Sequence, residues 1–183
     1  FRCGTGHRTR YERLSTVAVE AYYDDWHGRD APMLTYTSEP LARDRVLTGH
    51  PVVTLHAATS EQDGSFFVYL EDVDPDGLTR YVTEGTLRAL HRKVREAPER
   101  LQWVGPYHSL EEGDAQLMVP GEPAELAFSL YPTSWWFREG HRIRIAIAAC
   151  DRDHFAHVPA GRIPDLTFYR DAAHPSRIEL PLS

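Results

Sequence analysis

Residues 130–155 read LYPTSWWFREGHRIRIAIAACDRDHF, opening on aromatic rings and closing on two carboxylates and an imidazole. Asp151, Asp153 and His154 are oxygen and nitrogen donors of the kind that ligate divalent ions. They also stand where an alternating run ends, and charged residues at a strand end belong ordinarily to a solvated or interface loop. The loop is the expectation here. Trp135 and Trp136, with Trp103 and Tyr107 upstream, offer planar faces on which sugars can stack. Alternation instead turns one of two adjacent tryptophans inward and leaves its neighbour to cover another surface. Trp103, Trp135, Trp136, Asp151, Asp153 and His154 are therefore expected as domain-interface or ligand contacts. None is expected to be catalytic.

Other candidate chemistry is weaker. Asp72, Asp74, Asp76 and Gly77 in DVDPDG match the first half of an EF-hand loop. The twelfth position of such a loop needs a bidentate Glu. Here it is Thr83, with Glu84 one residue late, and Pro75 stiffens the middle. Asp and Gly are also what a tight turn demands, and the turn is the preferred reading. No GxSxG elbow is present. Ten histidines among many aspartates make a Ser/His/Asp triple easy to assemble by chance, and no spacing supports one. Cys3 and Cys150 form no CxxC pattern, so no structural zinc site and no other cofactor is expected.

These residues must be positioned by a chain of 183 residues, enough for one well-buried core. A net charge of −7 with both signs interspersed argues against a nucleic-acid partner or a polybasic membrane patch. No apolar run approaches the ~18 residues of a membrane span. The start at Phe1, without an apolar leader, reads as an excised domain with a cytoplasmic expectation.

After Pro32 the chain becomes short β-rich runs between turns. MLTYTSEPL reads as a strand, and RVLTGHPVVTLHAAT as strand segments about Gly49-His50-Pro51. GSFFVYLEDV is apolar on both faces, as a central strand packed on two sides would be. DPDG turns it into a hairpin with LTRYVTEGTLRALHR. Residues 93–122 read as a long crossing connection with a short strand near 115–119. In HRIRIAIAAC, Ile143, Ile145 and Ile147 face one way, Arg142 and Arg144 the other, which describes a half-buried antiparallel strand with its arginine face outward. DLTFYR and SRIELPL add two strands. Some eight to ten strands, almost no helix and no βαβ alternation predict an all-β, jelly-roll-like sandwich.

Several segments in this order resemble a family: L-x-Y-x-S-x-P-L at 34–41, T-G-x-P at 48–51, the aspartate before the strand in EQDGSFF, and L-x-D-V-x-P-D-G at 70–77. G-x-L-R at 85–88, F-x-x-G-H-R-I at 137–143 and H-P-S at 174–176 complete the series. The sequence is similar to the C-terminal domain of X-Pro dipeptidyl-peptidase-like serine hydrolases. The same CocE/NonD family includes the bacterial cocaine esterases and α-amino-acid ester hydrolases. The resemblance implies a jelly roll of galactose-binding-like topology over residues 30–183, with residues 1–29 linking it to a catalytic domain. It also implies that the catalytic serine, aspartate and histidine lie upstream in an α/β-hydrolase domain, which would be the partner of this chain. The chain alone is then not an enzyme, and its detached contact surface could also drive homo-oligomer formation. The loop DRDHFAHVPAGRIP departs from the Ser and Asn that family members carry there. The alternative from another class is a free-standing carbohydrate-binding module using Trp103, Trp135 or Trp136.

Overall fold

In the computed structural model, which describes Trp26, residues 30–150 and residues 155–183, the turn DPDG is where the architecture starts. Asp74 Oδ1 accepts the backbone N–H groups of Asp76 at 3.0 Å and Leu78 at 2.9 Å. Gly77 takes φ +89°, a conformation that a Cβ disfavours. This aspartate is therefore used to close a hairpin, as the turn reading expects. The strands it joins are β4 (Ser65–Val73) and β5 (Thr79–Arg88).

Every residue of β4 after Ser65 is buried, because the strand is central in the antiparallel sheet β1-β8-β4-β5. β1 is Leu34–Thr37 and β8 is Arg142–Ala148. A second antiparallel sheet is built on β3 (Val52–Thr59). β6 (Ala124–Ser129) pairs along one edge of β3. β9 (Leu166–Tyr169) and β10 (Arg177–Glu179) share its other edge. Phe66, Val68, Leu70 and Ile147 of the first sheet pack against Val53, Leu55, Leu126 and Phe128 of the second. Burying such side chains stabilises the fold by about 1.5–3 kcal/mol each. The chain is an all-β sandwich.

A two-stranded ribbon of β2 (Arg45–Gly49) and β7 (Thr133–Phe137) closes one end. Its inward residues Leu47 and Phe137 are fully buried. Its outward residues Val46 and Trp136 are cross-strand partners and exposed.

Two sequence expectations need correction. No strand forms at 115–119. Gln116 N–H and Met118 N–H bond singly to Leu90 and Gln62 carbonyls, with no partner strand to extend a ladder. Met118 alone plugs the core between exposed Leu117 and Val119. The crossing connection is instead pinned by Asp114. Its carboxylate accepts bonds from Lys93 Nζ at 2.6 Å, Arg95 Nη2 at 2.6 Å and Ser109 Oγ at 2.7 Å. The Arg95 and Lys93 hydrogen bonds, then that from Ser109, hold it well below the usual carboxylate range.

The second correction concerns the arginine face of β8, which is not simply solvated. Arg144 pairs with Asp30 at 2.6 Å. Further along the same face, Ala146 and Ala148 join Trp26, Met33, Phe67, Tyr69 and Tyr81 in a second buried cluster. Trp26 donates its backbone N–H to the Thr79 carbonyl at 2.6 Å, with its ring 5.7 Å from Tyr69 and 5.4 Å from Tyr81.

Candidate functional site

Asp72 lies on the inward face of β4, one residue from the strand's end, where the sandwich gives way to the closing ribbon. An aspartate there is desolvated and needs donors. It is 2% exposed and receives two: Trp135 Nε1 at 3.0 Å on Oδ2, and His141 Nδ1 at 2.9 Å on Oδ1. Trp135 comes from β7 and is aimed inward by alternation. His141 precedes β8 in a tight turn that Gly140 permits at φ +81°. Backbone bonds from Leu41 N–H to His141 and from His141 N–H to Arg138 fix its place.

Above this pair opens a recess of about 570 Å³, with Trp136, Arg138, Ser134, Asp74 and Arg80 at its rim. Arg80 reaches Asp74 at 3.4 Å, and the Arg138 guanidinium lies 5.2 Å from the centre of the Trp136 ring. Because His141 donates through Nδ1, the neutral ring keeps Nε2 as its acceptor. An Asp–His pair beside a serine outlines acyl-transfer chemistry, which requires the serine hydroxyl on the imidazole. Ser134 does not satisfy that requirement. Its hydroxyl meets Thr48 Oγ1 at 3.5 Å across the ribbon, and no hydrogen bond among the described residues joins it to His141. What the geometry does provide is a rigid end plate, in which one carboxylate locks β4, β7 and the start of β8 together.

The structure brings Trp135 and Trp136 into this recess, the first half-buried and the second 56% exposed. Trp103 stands elsewhere. Its indole N–H bonds the Pro106 carbonyl at 3.0 Å and its ring meets Tyr107 edge-on at 5.6 Å. Asp151, Asp153 and His154 lie outside the described residues. The residues flanking them are Cys150, beyond the far end of β8 from His141, and Phe155, which packs on Phe67 at 5.1 Å. At ~3.3 Å per residue, Cys150 stands on the order of 30 Å from His141. Of the three described residues singled out in the sequence, Trp135 and Trp136 share the recess and Trp103 does not line it. Asp72 and His141 were missed as a pair, although each sits inside a motif of the resemblance.

The model of the X-Pro dipeptidyl-peptidase C-terminal non-catalytic domain matches residues 2–179. A protein of Mycobacterium bovis named "Putative serine esterase" is 49% identical over 179 residues, 98% of this chain and 28% of that protein. The cocaine esterase of a Rhodococcus species is 25% identical over 168 residues, 85% of this chain and 26% of that enzyme. Among solved structures, an α-amino acid ester hydrolase superposes with a TM-score of 0.75 at 20% identity. The match covers 98% of this chain and 31% of that one. The chain thus spans less than a third of the length of each relative it matches.

Proposed function

This chain belongs to the family of X-Pro dipeptidyl-peptidase C-terminal non-catalytic domains, and from that premise we propose that it serves a longer serine hydrolase of CocE/NonD type. In this reading it is the jelly-roll sandwich, wound in galactose-binding-like fashion, that packs on an α/β-hydrolase catalytic domain in the cytoplasm. It braces that domain and helps wall its acyl pocket. The observation that carries the proposal is the match of 98% of this chain to 28% of a protein named as a serine esterase.

The contact surface we propose is the outward face of the β2–β7 ribbon. Val46 and Trp136 lie side by side there, 41% and 56% exposed, with Arg138 over the indole. Trp and Arg are the side chains that most often dominate binding energy at interfaces. The Asp72 end plate beneath them keeps this face rigid, so little ordering entropy opposes docking. A sugar platform fits less well. Arg138 already covers one face of Trp136, and the indole N–H of Trp135 is committed to Asp72.

The test mixes this chain with the separately expressed hydrolase portion of the longer protein, using sedimentation velocity. A one-to-one complex is expected, weakened about 30-fold or more by Trp136→Ser combined with Val46→Ser. The variant chain itself should melt as the parent does. No complex at high micromolar concentration, or one indifferent to the double variant, would remove the docking proposal. Indole fluorescence that shifts saturably with an oligosaccharide would favour a binding module instead.

A further inference from the structure

Among the described residues, the two layers do not close along one side. On that side the first sheet ends in β1, only four residues long. The second ends in two short strands sharing one edge of β3: β9 opposite His56–Thr59 and β10 opposite Val52–Thr54. Residues 170–176 run between them outside any strand. The break is visible in the hydrogen bonding, because the His56 N–H is taken by the Ser176 hydroxyl at 2.9 Å. Leu55 stands opposite the gap.

Where these edges part lies a cleft of about 280 Å³ between the layers. Its deepest walls are Val53, Leu55 and Ile147, all 3% exposed or less. Half-buried Ile145, Phe168 and Ile178 follow outward. Exposed Arg170 and Arg177 stand at the mouth, one on each side of the 170–176 break. Arg170 lies 5.0 Å from the centre of the Tyr36 ring and makes no ion pair among the described residues. Arg177 bonds Glu179 through Nε at 2.9 Å. The lining therefore runs from aliphatic to cationic along one axis.

We propose that this cleft binds a medium-chain alkyl carboxylate, its chain between the layers and its carboxylate on the guanidinium groups of Arg170 and Arg177. The walls offer a water molecule few hydrogen-bonding partners, so the space favours an apolar occupant. Taking ~30 Å³ per water-sized group, it holds about nine of them, a chain of roughly eight to ten carbons. The forked guanidinium matches a carboxylate and is weakly enough hydrated to sit at an apolar mouth. An alkylammonium would meet repulsion at the same rim, and an alcohol would forgo the charge-assisted bonds. The site is independent of docking to a catalytic domain, since the ribbon carrying Trp136 contributes nothing to its lining.

The experiment is calorimetric titration of the full chain with hexanoate, octanoate and decanoate below their micellar concentrations, with decanol and decyltrimethylammonium as comparisons. One site per chain is expected, tightening about fourfold per added methylene. Arg170→Gln, an exposed change that leaves the core untouched, should weaken decanoate about threefold or more and leave decanol unchanged. Isotope-filtered NMR should place the decanoate methyl group against Val53 and Ile147. The proposal is overturned by the absence of saturable binding or by several weak sites in place of one. It is equally overturned by affinity indifferent to both chain length and Arg170→Gln, or by methyl contacts elsewhere on the protein.

Discussion

Replacing Gly85 with alanine should lower the melting temperature by about 6–12 °C, at ~2–4 °C per kcal/mol for a chain of this size. A methyl group at Gly85 would stand 2.7 Å from the Ser129 carbonyl oxygen, 2.8 Å from Leu130 Cδ2 and 3.0 Å from Leu130 Cα. Two of these three atoms are backbone, so no rotamer change relieves the clash. The crowding has a cause in the fold. Here the chain crosses from β6 to β7 directly against β5, held by Tyr131 N–H on the Glu84 carbonyl at 2.8 Å. Thr83 Oγ1 adds a bond to the Tyr131 carbonyl, also at 2.8 Å. Forcing β5 away from that crossing is overpacking, at about 3 kcal/mol or more. Gly113→Ala is the control. Nothing lies within 4 Å of a methyl group there, so it should be neutral or slightly stabilising. A Gly85→Ala variant that melts with the parent would mean that β5 and the 129–131 crossing are not in contact.

Glu71→Gln should stabilise the protein by several kcal/mol above pH 8 and by almost nothing near pH 4.5. Glu71 is fully buried beneath the outer cluster, and among the described residues neither carboxyl oxygen finds a hydrogen-bond partner. Burial first, and then the charge of nearby Asp30, push its pKa up from 4.5 to about 8, with Arg144 offsetting part of the shift. Asp30 already engages Arg144 at 2.6 Å, so that cation is shared.

The direction of the pH dependence follows from which state keeps the proton. Below about 4.5 both folded and unfolded chains are protonated at this position. Between 4.5 and 8 the unfolded chain ionises while the folded one does not, and stability falls as pH rises. Above 8 both are ionised and the loss is complete, at ~1.4 kcal/mol per pKa unit. Glutamine has no proton to lose, so its variant should escape that decline. Melting curves at pH 5, 6.5 and 8.5 should diverge with rising pH, reaching a gap on the order of 10 °C. Parallel curves would show that Glu71 is ionised in the folded protein without penalty.

What could be read from the sequence followed from short-range pattern. The run SFFVYLEDV is apolar on both faces, and β4 is indeed central and covered on both sides. The motifs of the resemblance also prove to be joints. Gly49, at φ +124°, makes the turn of T-G-x-P. The aspartate of EQDGSFF is Asp63, which binds Arg88 of G-x-L-R at 2.7 Å. Ser176 of H-P-S caps the His56 N–H.

Other features were not legible because they join distant residues. Asp72 finds His141 across 69 positions, and period-two alternation cannot tell a buried, doubly bonded aspartate from an ordinary strand end. The arginine face of β8 reads as the outer side of a half-buried strand, whereas Trp26 and Met33 pack there with Phe67, Tyr69 and Tyr81 in a second buried cluster. The interlayer cleft depends on a gap between β9 and β10 along one strand edge, which no local pattern encodes.

The expectation from membership of the X-Pro dipeptidyl-peptidase C-terminal non-catalytic family is that this chain performs no acyl chemistry itself, even though Asp72, His141 and Ser134 line one recess. Its most direct test is to treat the purified chain with a fluorophosphonate, locate any serine adduct by mass spectrometry, and follow p-nitrophenyl ester hydrolysis in parallel. The expected result is an unmodified chain and hydrolysis no faster than in buffer. A stoichiometric adduct on Ser134, lost together with turnover in His141→Ala, would contradict it.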